Sequence, residues 1–207
     1  MAGCRPLTPD EIKALDAPGV FAGRYAKRDR ALFTLGRYSG FRVRELLSLR
    51  VKDLMHPGGR FVDRILIERR NIKRKRQGRQ IIFHPAAKRA VRDWIKDLFD
   101  AGHVGRNVCV FRSQKGRDAA MTVSQAWRVI NRVFARAGLD GRLATHTMRK
   151  TYAKGVYDLA LNRLRAGEHI DPSRATMYAL GHKSVATTEK YLDFNGQLVE
   201  DLTLALQ

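Results

Sequence analysis

The chain has 207 residues, enough for one well-buried domain. Lys and Arg number 40 against 20 acidic residues, a formal charge of +20, which favours a polyanionic partner, nucleic acid foremost, and salt-sensitive association. Cys4 and Cys109 lack the spacing of a disulfide framework or a zinc site, and no apolar run approaches the roughly 18 residues that span a bilayer.

Met1 to Asp10 lacks the apolar stretch of a secretory signal, so the expected location is cytoplasmic and, given the charge, nucleoid-associated. Thr8-Pro9-Asp10-Glu11 reads as a helix start: Thr8 caps, Pro9 suits the first helical position and Glu11 completes a capping box. Asp29 to Tyr38 is a second helical run ended by Gly40, and Glu45 to Leu49 begins a third, which leaves Arg42 at the junction. Phe61 to Arg69 and Gln80 to Phe83 read as the strands of a β-hairpin joined by a highly basic connection. From Pro85, Ala87, Ala90, Val91, Trp94, Ile95 and Leu98 recur at helical spacing and place Trp94 in the core. Val108 to Phe111 is too short to type. Ala126, Trp127, Ile130, Val133, Phe134 and Ala137 repeat likewise, so Trp127 is also expected in the core.

Thr145 is positioned to cap a helix that carries His146 and Arg149, three apart and therefore on one face. Asn162 to Ser173, with Gly167 and Pro172, reads as a loop before a short helix ending near Gly181. Leu198, Leu202 and Leu206 make the tail mildly amphipathic, to pack on its own chain or on a neighbour. The expected fold class is mainly α with a small antiparallel β-sheet, with residues 1–207 as a single domain and residues 192–207 as that tail.

The chemistry lies in three ordered segments. Gly40-Phe41-Arg42-Val43-Arg44-Glu45 comes first, His146-Thr147-Met148-Arg149 second, and Gly181-His182 third, with Tyr191 nine residues after His182. A phenol titrates near pH 10, so only about one in a thousand is ionised at neutral pH and Tyr191 needs help to act as a nucleophile. Arg42 and Arg149 suit the negative charge that develops on phosphodiester oxygens, because guanidinium stays charged and its forked donors match them. His146 and His182 are suited to donate to those oxygens or to accept the phenolic proton. Glu45, three residues after Arg42, reads as active-site support that orients a neighbouring arginine or histidine.

These segments resemble the boxes of the tyrosine recombinases, or phage integrase family: Gly-x-Arg-x-x-Glu, His-x-x-Arg, and Gly-His with Tyr nine residues later. The resemblance extends from Thr8 through Leu192 and departs at Met148, where the family usually has Leu. About 30 residues precede the first-box helix, so no separate amino-terminal DNA clasp is expected within these residues, as in a naturally short recombinase or an isolated catalytic fragment. The resemblance implies the tyrosine recombinase catalytic-domain fold, and catalysis by Tyr191, Arg42, Arg149, His146 and His182. It assigns base or oxyanion support to His146 and oxyanion support to His182. It also implies a hairpin lysine that protonates the leaving 5′ oxygen. Arg69 to Arg79 holds seven basic side chains in eleven positions, and Lys73 fits best, with Lys75 two residues on as the alternative. Arg69, Arg70, Arg74, Lys75, Arg76 and Arg79 are candidate DNA contacts, either with the reaction site or as a nonspecific phosphate-binding loop. The basic residues of Arg24 to Arg30 and Arg128 to Arg142 gather backbone phosphates or keep the chain soluble, and His56, His84, His103 and His169 read as surface or turn residues.

The implied activity is site-specific DNA recombination through a 3′-phosphotyrosine intermediate, by integration, excision, inversion or resolution. No cofactor or metal is expected. The implied partners are double-stranded DNA, a homotetramer on paired sites passing through a Holliday junction, and accessory DNA-bending or directionality proteins, with no membrane. The alternatives are a type IB topoisomerase-like relaxing enzyme and a noncatalytic DNA-binding protein.

Overall fold

The computed structural model describes residues 3–67, 79–114 and 119–192. In chain order they form α1 (Pro9–Ala14), α2 (Ala26–Ser39), α3 (Val43–Leu47), α4 (Val51–Leu54), β1 (Arg64–Ile67), β2 (Arg79–Ile82), α5 (Pro85–Asp100), α6 (Val123–Arg136), α7 (Thr145–Arg165), α8 (Pro172–Leu180) and α9 (Val185–Leu192). The capping box at Thr8 is present: Thr8 Oγ1 accepts from Glu11 N at 3.2 Å and Glu11 Oε2 accepts from Thr8 N at 2.8 Å.

β1 and β2 pair antiparallel with Ile65 opposite Ile81, which sends Ile65, Ile67 and Ile81 into the core and leaves Leu66 and Ile82 outside. β1 begins later than its apolar run suggests, because Phe61 makes only an isolated bridge with Met55, and β2 keeps its expected length but starts one residue earlier, at Arg79. The predicted connection, with Arg69, Arg70, Lys73, Arg74, Lys75 and Arg76, lies outside the described residues, as does the tail after Leu192. Arg79 opens β2.

α2 packs against α5 and α7, and its glycines set how closely. A Cβ on Gly36 would stand 2.7 Å from Met148 Sδ, inside any normal contact distance, so the flexible thioether lies directly on the helix backbone. Gly40 ends α2 in the left-handed conformation at φ +59°, and a Cβ there would stand 2.4 Å from Tyr152 Cδ1. Gly40→Ala is therefore expected to destabilise the fold by about 2–4 kcal/mol, combining left-handed strain with a ring that must move. Urea denaturation measures this, and a loss within about 0.5 kcal/mol of zero would mean that the backbone relaxes freely at this corner.

Three expectations change. Trp127 is 51% exposed, because the buried stripe of α6 is Ala126, Val129, Ile130, Val133 and Phe134 and one residue of rotation carries Trp127 off it. Thr145 is the first helical residue of α7 and Ala144 the cap; the capping contact comes from Thr147 Oγ1, which accepts from Ala144 N at 3.1 Å. α7 runs on to Arg165, and Pro172 is the first residue of α8 behind an Asp171 cap, so the loop is shorter at both ends than its polar composition suggests.

Candidate active site

Each box sits at a helix end. Arg42 precedes α3 with extended backbone, and Glu45 in the first turn of α3 reaches back to it: Oε2 accepts from Arg42 N at 2.7 Å and Oε1 from Arg42 Nη1 at 3.2 Å. Glu45 is buried while the Arg42 side chain is 39% exposed, so the carboxylate anchors a guanidinium whose outer face meets solvent.

His146 and Arg149 lie in the first turns of α7, on one face as their spacing requires. Arg149 is 0% exposed. Its Nη1 donates to the Gly40 carbonyl, and its Nη2 donates to the Leu180 carbonyl at 3.0 Å and to His182 Nε2 at 2.9 Å. Because His182 Nε2 accepts, its proton sits on Nδ1, which donates to Thr188 Oγ1 at 3.0 Å. Arg149 thus ties the corner after α2 to the end of α8, both of which are turned by left-handed glycines, Gly40 and Gly181.

Tyr191, on α9, closes the set. Its hydroxyl is 2.8 Å from His146 Nε2, and Arg149 Cζ lies 5.4 Å from the centre of its ring. The rings of His146 and His182 stand 5.3 and 5.0 Å from it, so one phenol touches both histidines and the buried arginine. The structure therefore brings Tyr191, His146, Arg149 and His182 together, with Arg42 close enough to act electrostatically on both His146 and Arg149.

Burial, followed by the cations Arg149, Arg42 and Lys150, holds His146 below the ordinary histidine value of 6.5. Its imidazole is consequently neutral at neutral pH and can accept a proton from the phenol it touches. Burial and the charge of Arg42 likewise push the Arg149 guanidinium down, opposed by Tyr191 and Glu45. A guanidinium still stays charged at any working pH, so these two arginines present a concentrated positive field beside the phenol. Such an arrangement suits transfer of a phosphoryl group to a tyrosine.

Three groups lie outside the sequence boxes or play a part not visible in them. Thr188 is fully buried and orients His182, while the carbonyls of Gly40 and Leu180 hold Arg149. The position of Thr188, between the box histidine and tyrosine, was the only available signal for it. His84 also proves more than a turn residue: its Nδ1 accepts from Ala86 N at 3.2 Å to cap α5, and its ring stacks on Tyr38 at 4.0 Å.

The model of the phage integrase family matches residues 6–197, nearly the whole chain. The chain belongs to the phage integrase family. Among relatives of this integrase-family chain, tyrosine recombinase XerD of Corynebacterium glutamicum is 30% identical over 165 residues, covering 79% of the chain and 47% of XerD. The probable integrase/recombinase YoeC of Bacillus subtilis is also 30% identical, over 175 residues covering 82% of the chain and 86% of YoeC. The chain thus spans about half of XerD and most of YoeC. Its fold is that of the XerA recombinase, with a TM-score of 0.69 at 23% identity over 100% of the chain and 65% of XerA. The XerH site-specific recombinase, solved in a post-cleavage complex with a palindromic difH substrate, superposes with a TM-score of 0.66 at 20% identity, over 97% of the chain and 53% of XerH. Among the described residues no helix is long and apolar enough to cross a membrane, and no group of three or more His, Cys, Asp or Glu side chains is placed to hold a metal ion.

Proposed function

We propose that the chain is a site-specific DNA recombinase that cleaves and rejoins strands through a 3′-phosphotyrosine link. One observation carries this reading: the Tyr191 hydroxyl rests 2.8 Å from His146 Nε2, with the buried guanidinium of Arg149 over its ring. Membership of the integrase family and the recombinase names of XerD and YoeC support it.

In the proposed step the Tyr191 oxygen attacks the scissile phosphorus as its proton passes to His146 Nε2. A P–O bond forms to the phenol, the bond to the 5′ oxygen breaks, and the leaving oxygen takes a proton from a general acid. Lys73 is assigned that role, with Lys75 as the alternative. Arg42 and Arg149 carry the charge that grows on the non-bridging oxygens. Buried Arg149 Nε has no hydrogen-bond partner among the described residues, an unmet donor at the centre of the site. His182, fixed by Thr188, acts on those oxygens through Arg149, whose Nη2 it holds, and Glu45 keeps Arg42 aimed. Because the link keeps the bond energy, a 5′ hydroxyl from a partner duplex reverses the step without ATP. The reading extends to a homotetramer on two sites, with the segment from residue 192 packing within or between protomers, and to accessory DNA-bending or directionality proteins in the nucleoid.

A library of random duplexes nicked near their centre tests this, since loss of the short 5′-hydroxyl fragment traps the covalent intermediate. Capture of strands sharing a sequence, with EDTA making no difference, is expected. No capture at any protein concentration contradicts the reading, and efficient relaxation of plasmid lacking the captured sequence favours a topoisomerase-like enzyme instead.

The depressed His146 value sets the pH profile. The neutral imidazole is the working form, so the single-turnover cleavage rate should be flat above neutrality and fall only on the acid side of 6.5. The same depression means that the unfolded chain binds the proton more readily, so this contribution to stability is complete above 6.5 and is lost as pH falls. An acid limb centred well above 7 would show that His146 is not the proton acceptor.

A further inference from the structure

We infer that a cavity between α2 and α6, apart from the Tyr191 site, seats a second phosphodiester of the same DNA duplex; this rests on the function proposed above. The cavity has a volume of about 190 Å³ and is lined by Arg28, Arg128 and Arg132 with Gln125, Ser113 and Val129 among others. It is large enough for a tetrahedral anion with a few waters.

The balance of charge around it calls for an anion. Arg28 is buried, and its guanidinium is held by Asp29, with Nε at 2.9 Å and Nη2 at 2.8 Å from one carboxylate oxygen. Arg128 and Arg132 are exposed one helical turn apart on α6, and neither has a carboxylate partner among the described residues. Like charges at this spacing repel each other. Asp29 feels Arg28, Arg132 and Arg136 together, so one carboxylate faces several guanidinium groups. A phosphate oxygen between Arg128 and Arg132 relieves that repulsion, and forked donors suit it.

The position suits a long ligand. Arg28 and Gly40 stand twelve residues apart along α2, about 18 Å at 1.5 Å per residue, and Gly40 holds Arg149. A ligand that reaches both ends of α2 must be extended, as a duplex is. A single helix thus carries Arg28 of the cavity near one end and the glycine that holds Arg149 at the other.

The test reads binding alone, as fluorescence anisotropy of a labelled random-sequence duplex at several salt concentrations. Arg128→Gln/Arg132→Gln should lower the slope of log K against log salt by about one and weaken binding about eightfold at 0.1 M salt, the counterion contribution of one phosphate. Arg128→Lys/Arg132→Lys should restore most of the slope, because a point charge suffices for counterion release. Arg165→Gln, an exposed arginine at the end of α7, should change neither quantity. A slope equal to the parent's in the double Gln variant overturns the inference, as does an equal loss in Arg165→Gln, which would make the effect one of net charge. If the double variant melts early, Arg128→Gln alone is read by the same criteria. Absence of covalent capture by the parent chain would sink the proposed function while leaving these binding outcomes readable.

Discussion

Tyr191→Phe should abolish covalent capture of a nicked duplex, by at least about ten-thousand-fold, while leaving its affinity for that duplex unchanged. The substitution removes one oxygen and keeps the ring, so the contacts with His182 and with the Arg149 guanidinium survive. What disappears is the 2.8 Å contact with His146 and with it the atom that forms the bond to phosphorus. Denaturing gel electrophoresis of a labelled strand measures the loss. Capture that persists in the Phe variant would move the nucleophile elsewhere, whereas weakened binding with unchanged capture per bound complex would make Tyr191 a packing residue.

The second large effect is expected at Arg149. Arg149→Lys keeps a positive charge but loses the planar fork that holds the carbonyls of Gly40 and Leu180 together with His182. The single-turnover cleavage rate should fall about 100- to 1,000-fold, as when one donor to developing charge is removed, while duplex affinity changes less than about threefold. Stability should fall as well, by about 1–3 kcal/mol, because buried carbonyls lose their donors. The split between rate and affinity is the diagnostic feature. A purely structural arginine would lower stability and binding together and leave the rate of the bound, folded fraction intact.

Much of this site was legible because its chemistry depends on side-chain type. Two arginines, two histidines and a tyrosine in fixed order can be read from letters, and the spacing of His146 and Arg149 already puts them on one helical face. Thr8, Pro9 and Glu11 announced α1, and the apolar stripe of α5 placed Trp94 correctly. Other features were hidden for physical reasons. Every residue has a carbonyl, so nothing in the letters marks Gly40 and Leu180 as the two that receive Arg149. A hydroxyl such as Thr188 becomes a partner for His182 only when α9 folds back on α8. Trp127 satisfied the helical period yet fell one position away from the buried stripe, since an amphipathic pattern sets a face only to within about a residue's rotation of 100°. Pro172 read as a breaker and proved to be a helix start, a role that the same fixed φ permits.

Cleavage as proposed requires that the phenolic oxygen of Tyr191, and no other group, takes the 3′ phosphate while Arg149 and His146 stand beside it. Protease digestion of the trapped complex followed by mass spectrometry tests this directly. The nucleotide adduct should lie on the peptide containing Tyr191, with the 3′ phosphate attached to that side chain. An adduct on any other residue, or a 5′-phosphoryl linkage on Tyr191, would contradict it.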